Sequence, residues 1–171
     1  GSHRGRNRCN VRIGNSRMSV SGYDLRLRPA QPVTPAADAF TIHRSQLSNG
    51  VELAYVHEGV GGYPLLLIHG YPETKRIWWR NIEPLVAAGF EVIVPDLRGH
   101  GDSGFSDSDT YDLVTYSRDL YELTHDILGH QHIGLVGGDV GGVVAVDMVQ
   151  RFEGFVDGLC FFDTVPPMVI D

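Results

Sequence analysis

In "LVGGDVGGVV", residues 135 to 144, one carboxylate stands between two glycine pairs, with apolar residues running in and running out. An aspartate where a strand hands over to a helix has two uses. It can cap the helix, accepting from the free N–H groups of the first turn, or it can be a nucleophile at the tip of a sharp turn. Gly137 and Gly141 give Asp139 the small-x-nucleophile-x-small pattern of a nucleophile elbow, G-x-S-x-G with Asp in place of Ser. At so tight a turn, side chains two positions to either side would collide, whereas a capping aspartate makes no such demand. The helix N-terminus beneath it, with its positive dipole end, favours the ionised carboxylate.

Two further stretches bear on the choice. "HGYPET", residues 69 to 74, leaves a buried apolar run and turns sharply at Gly70 and Pro72, and "DLRGHGDS", residues 96 to 103, follows the next such run as a Gly-rich loop with little chemistry of its own. In this order, the three motifs resemble the α/β-hydrolase superfamily from about Phe40 onward, and "HGYPE" with an Asp nucleophile is similar to the epoxide hydrolases and the related dehalogenases. The implied fold is α/β: a mostly parallel sheet flanked by helices.

The resemblance implies a two-step covalent mechanism without cofactor. Asp139 attacks a substrate carbon to give an alkyl-enzyme ester, and the backbone N–H groups of Tyr71 and Val140 hold the oxyanion formed when that ester is hydrolysed. A histidine, oriented by an acid, activates the water. Asp163, in "FFDTVPP", lies 24 positions beyond Asp139, where some family members carry that acid; an aspartate turning the chain before Thr164 and two prolines is the alternative. A carboxylate nucleophile selects carbon electrophiles, so the expected substrate is a small epoxide or a halogenated compound. Haloalkane dehalogenases resemble one another in an Asn after "HG" and a Trp after the nucleophile, where this chain has Tyr71 and Val140. Haloacetate-type enzymes carry Arg where Val140 and Val143 stand. Epoxide opening leads by elimination, with a dehalogenase and a non-catalytic, partner-binding α/β-hydrolase-like domain as the other readings.

The chain departs from the family pattern in two ways. Gly138 replaces the usual His before the nucleophile, removing a buttressing side chain. All eight histidines (His3, His43, His57, His69, His100, His125, His130, His132) precede the elbow, so none sits where the family's catalytic His and its cap would follow. The expectation is one piece of a longer enzyme, truncated before the cap, with an apolar sheet edge to be covered by the missing part or by a second copy.

The elements that must position these residues follow from periodicity. "FTIHRSQL" and "VELAYVHE" flank the turn dipeptide "NG" as a hairpin; "PLLLIHG", "FEVIVPD", "HIGLVG" and "FVDGLCFF" read as buried strands of parallel type. Between them, Arg76 to Ala88 carries Trp78, Ile82, Leu85 and Val86 at helical spacing, with Pro84 expected to kink or shorten it. Thr115 to Leu128 places Tyr116, Leu120, Leu123 and Ile127 on one face, and Val140 to Phe152 is a helix apolar on nearly every side. Strand and helix alternate, as in a layered α/β sheet.

Composition bounds the rest. At 171 residues and 42% hydrophobic, the chain suits one core domain over residues 40 to 171, preceded by a flexible leader, residues 1 to 39, whose "GSH" start reads as a tag remnant and whose Met18 would be the natural start. The net charge of -7 is uneven: seven of the fourteen Lys+Arg fall in residues 1 to 28. An acidic body has no basic face to follow a phosphate backbone, so nucleic acid is not expected as a partner, and no apolar run of about 18 residues calls for a membrane. Cys9, in the leader, and Cys160, in an apolar run, form no disulfide framework, which suits a reducing cytoplasm. His130 and His132 lack a third ligand in pattern, and "GVGGYP" lacks the Lys-Ser/Thr of a phosphate loop; neither a metal nor a cofactor is assigned.

Overall fold

The computed structural model describes residues 9–13, 16–20 and 34–164, the first two segments by backbone alone. The chain divides into two compact units, Gly1–Val33 and Thr34–Asp171. In the first, β1 (Cys9–Ile13) and β2 (Ser16–Val20) pair antiparallel, Cys9 opposite Val20. Two strands thus stand within the stretch read as a flexible leader. The "GSH" start and the proline-spaced run as far as Val33 lie outside the described residues.

The second unit is built on six strands: β3 (Ile42–Gln46), β4 (Glu52–Glu58), β5 (Tyr63–Ile68), β6 (Phe90–Pro95), β7 (Ile133–Gly138) and β8 (Val156–Phe162), in the spatial order β3-β4-β6-β5-β7-β8. β3 and β4 form the hairpin expected at "NG", where Gly50 takes a positive φ of 88°. β4 meets β6 antiparallel, and β6, β5, β7 and β8 run parallel.

Parallel strands need crossovers, and the helices supply them on both faces. The period-2 alternation of β5 shows the consequence. Leu66 and Ile68 enter the core shared with α2 (Leu113–Tyr121) and α3 (Val140–Arg151), while Leu65 and Leu67 enter the core beneath α1 (Trp79–Ala87).

Three local readings differ from the structure. A 3₁₀ turn over Lys75–Trp78 precedes α1, and the change of pitch buries both Trp78 and Trp79; Pro84 lies inside α1 without ending it. After α2 the chain passes into a π-helical turn, Glu122–Ile127, where the Thr124 hydroxyl donates to Leu120 O at 2.6 Å and Leu128 N–H reaches back to Leu123 O. The extra residue per turn rotates Ile127 outward, 40% exposed, while Leu123 stays buried. Finally, β8 is not a buried strand: among the described residues it pairs only with β7, and Cys160, Phe161 and Phe162 are exposed.

Candidate active site

β5 and β7 lie side by side, Ile68 opposite Gly137, so the loop leaving β5 and the turn leaving β7 emerge together at the C-terminal edge of the sheet, where open α/β sheets place their ligands. At the tip of the second turn Asp139 has φ 53° and ψ -126°. A non-glycine residue in such a conformation is strained and persists only where its surroundings enforce it. The glycines make the turn feasible by close approach: a Cβ on Gly137 would lie 2.4 Å from Gly141 O, and one on Gly141 would lie 2.4 Å from Ile68 O. Asp139 stands at the N-cap position of α3 but makes no side-chain cap hydrogen bond to it.

The carboxylate faces the neighbouring loop instead. Tyr71 N–H donates to Asp139 Oδ1 at 2.9 Å, and this bond, with a second from Val140 N–H, holds the carboxyl below the ordinary aspartate range, against a small opposing effect of desolvation. The Tyr71 loop is fixed by its own residues. Glu73 N–H donates to Gly70 O, Gly70 N–H donates to Glu73 Oε2 at 3.1 Å, and the Tyr71–Pro72 peptide is cis. Gly70 itself cannot carry a side chain, since its Cβ would fall 2.7 Å from that of Asp139.

His69 is buried and doubly engaged. Its Nε2 accepts from Leu97 N–H at 3.0 Å, which requires the proton on Nδ1, facing Gly70 O at 2.8 Å. Burial pushes its pKa down, outweighing the Gly70 carbonyl, so it is a neutral strut between two loops. The "DLRGHGDS" loop does more structural work than its sequence suggests. Buried Asp96 accepts from Lys75 N–H, Lys75 Nζ and Asp102 N–H, and Lys75 Nζ also pairs with Asp102 at 2.5 Å. Arg98 holds Asp119 through two bonds of 2.6 Å.

Asp163, also at positive φ (52°), lines a cleft of about 570 Å³ with Asp139, Val140, Val143 and Thr164. Asp139 N–H donates to Phe162 O at 3.3 Å, and Gly142 is so close to the Thr164 methyl that a Cβ would meet it at 2.7 Å. These contacts bring the end of β8 onto the elbow. Gly138 leaves no gap: the Phe162 ring occupies the space, 2.6 Å from where a Cβ would stand, and meets Trp78 edge-on at 6.1 Å. An adjoining cleft beside Tyr71 and Val140 is lined by His100, Tyr111 and Tyr116. Tyr116 was legible as a core position, but nothing in the spacing of His100 or Tyr111 marks them as cleft residues.

An aspartate on a strained strand-to-helix turn, addressed by a backbone N–H from the loop after the neighbouring strand, defines an elbow-type hydrolase scaffold. The chain belongs to the alpha/beta hydrolase fold family, which matches residues 63–171. It is 38% identical over 129 residues to the soluble epoxide hydrolase of Corynebacterium sp. (strain C12), covering 74% of this chain and 43% of that protein. It is 36% identical over 140 residues to the haloalkane dehalogenase of Mesorhizobium japonicum, covering 81% and 43%. The crystal structure of epoxide hydrolase A from Mycobacterium thermoresistibile superposes with a TM-score of 0.64 at 31% identity, over 71% of this chain and 39% of that one. The chain thus spans less than half the length of these relatives. Among the described residues, no helix is long and apolar enough to cross a membrane.

Proposed function

We propose that this chain carries the nucleophile of an epoxide-opening hydrolase. A carboxylate oxygen of Asp139 attacks an epoxide carbon, the carbon–oxygen bond of the ring breaks, and the alkoxide takes a proton to leave a hydroxyalkyl ester on Asp139. Water, deprotonated by a histidine from outside residues 1–171 that Asp163 orients, then attacks the ester carbonyl. The Tyr71 and Val140 N–H groups hold the resulting oxyanion; its collapse releases the diol and restores Asp139. The observation that carries this reading is the 2.9 Å bond from Tyr71 N–H to Asp139 Oδ1 at the strained elbow. Epoxide hydrolases among the relatives support the substrate class.

Intact-mass measurement before and after incubation with styrene oxide tests it, with Asp139→Asn as control. The expected result is an added substrate mass that persists in the parent protein and is absent from the variant. Neither adduct nor diol would overturn the reading, and halide release from haloalkanes without diol formation from epoxides would replace it with dehalogenation.

A further inference from the structure

At the opposite end of the sheet, where the parallel strands begin, three side chains from separate elements converge. His57 belongs to β4, Glu91 to β6, and His130 to the turn entering β7. Their ligating atoms all lie within 4.8 Å of one another. His57 Nε2 is 2.6 Å from Glu91 Oε1, and His130 Nε2 is 3.0 Å from the same oxygen. Glu91 Oε2 is taken by Gly61 N–H at 2.9 Å. The carboxylate is therefore clamped with one oxygen turned toward both imidazoles.

Hydrogen bonding accounts for one of those imidazoles and not for the other. His130 Nε2 is buried and lies off the line of a hydrogen bond despite its short contact. A buried polar atom without an aligned partner is uncommon and costly unless something else meets it. The side chains are mostly shielded, with 15% of His57, 6% of Glu91 and 16% of His130 exposed, which leaves room for solvent on one side.

We propose that His57, Glu91 and His130 form a zinc-type divalent metal site, with Nε2, Oε1 and Nε2 as ligands and water completing the shell. Two imidazoles and a carboxylate suit zinc, whereas magnesium and calcium take oxygen ligands. Bonds of about 2 Å in a tetrahedron set ligand atoms roughly 3.3 Å apart, so each imidazole would draw back from Glu91 Oε1, and the two imidazole nitrogens, within 4.8 Å of one another, would adjust their own spacing about the ion. The Gly61 N–H then acts as the outer partner that fixes the carboxylate's orientation. Glu91 lies opposite Pro64 at the start of β5. At about 3.3 Å per residue, four residues of strand, roughly 13 Å, separate that level from Ile68 beside the elbow. The ion would tie β4, β6 and the entry to β7 together, away from the Asp139 cleft. His132, the nearer histidine in sequence, is turned to the surface instead, its Nδ1 3.5 Å from Asp157.

Calorimetric titration of the chelator-treated protein with Zn²⁺ tests the site. One equivalent is expected to bind, weakened at least about tenfold in each of His57→Ala, Glu91→Gln and His130→Ala and unchanged in His132→Ala. Long-range ¹H–¹⁵N spectra of the unsubstituted protein provide a readout that no variant's folding can spoil, with the Nε2 signals of His57 and His130 moving together on Zn²⁺ addition. Lack of stoichiometric binding, binding retained in all three ligand variants, or unmoved imidazole signals would overturn the site and leave a hydrogen-bonded cluster.

Discussion

Tyr71 and Asp139, 68 residues apart in the chain, meet through a 2.9 Å bond from the backbone N–H of one to Oδ1 of the other. The contact is a consequence of strand register. β5 and β7 are adjacent and parallel with Ile68 opposite Gly137, so the residues three beyond Ile68 and two beyond Gly137 arrive at the same height. A slip of one residue would turn every side chain of β5 to the other face and remove the bond.

If Asp139 is the nucleophile, Asp139→Asn should leave the fold intact, since Asn also tolerates a positive φ, and should abolish the persistent epoxide adduct. Where a histidine completes the cycle, the loss in turnover should be of order 10⁴-fold. Steady-state rates and far-UV circular dichroism together check it, and an unchanged rate would remove Asp139 from the chemistry.

Ester formation requires the carboxylate, and two backbone N–H groups hold its pKa below the ordinary value. The acid limb of the adduct-formation rate is therefore expected below about pH 4, the unperturbed aspartate range. The linked stability has the same sign: a depressed folded-state pKa contributes stability above the unfolded value, and this is lost as pH falls through the folded one. Asp139 is exposed, so the stability effect should be slight and the rate profile is the measurement to make.

Gly141→Ala should destabilise the protein by about 1–3 kcal/mol. The added Cβ meets Ile68 O at 2.4 Å and His69 O at 2.5 Å, both backbone atoms of the strand end that carries the Tyr71 loop, so adduct formation should fall as well. Urea unfolding with mass analysis reads both, and a neutral substitution would contradict the close approach.

Gly138→His restores the residue usual in the family and should nonetheless destabilise, because its Cβ would fall 2.6 Å from the Phe162 ring. In a double-mutant cycle Phe162→Ala should recover part of the loss, giving a coupling of about 0.5–3 kcal/mol. Additive single effects would show that Phe162 does not occupy the place of that side chain.

Lys75→Met should cost about 3–5 kcal/mol, the effect of leaving a buried charge without its partner, because Asp96 and Lys75 are both buried and paired. Thermal unfolding checks the magnitude, and loss of the epoxide adduct would show that the Asp96 network steadies the loop bearing Tyr71.

The alternation of apolar runs and helical spacings was enough to place the six strands of the main sheet and the three helices, because burial on both faces leaves continuous apolar strands, as in "PLLLIHG". It failed where the signal is shared by two structures. The "FVDGLCFF" run is as apolar as its neighbours, yet what buries a strand is a second layer and a second neighbour, and β8 has only β7 beside it among the described residues. Ile127 kept helical spacing, but the Thr124 hydroxyl bond and the π turn beside it moved the residue to the surface.

Local sequence by itself determined the elbow: two glycines, an aspartate and a strand running into a helix define a turn whose sterics involve few residues. The "HGYPE" turn is likewise self-contained, since Glu73 bonds back to Gly70 within four residues. Only the tertiary structure decided what faces the elbow. The Tyr71 N–H, the Phe162 ring over Gly138, Asp163 in the cleft and the meeting of His57, Glu91 and His130 all join residues on, or in the loops beside, different strands. Sheet order and register set those distances, and neither is written in the spacing of residues along one segment.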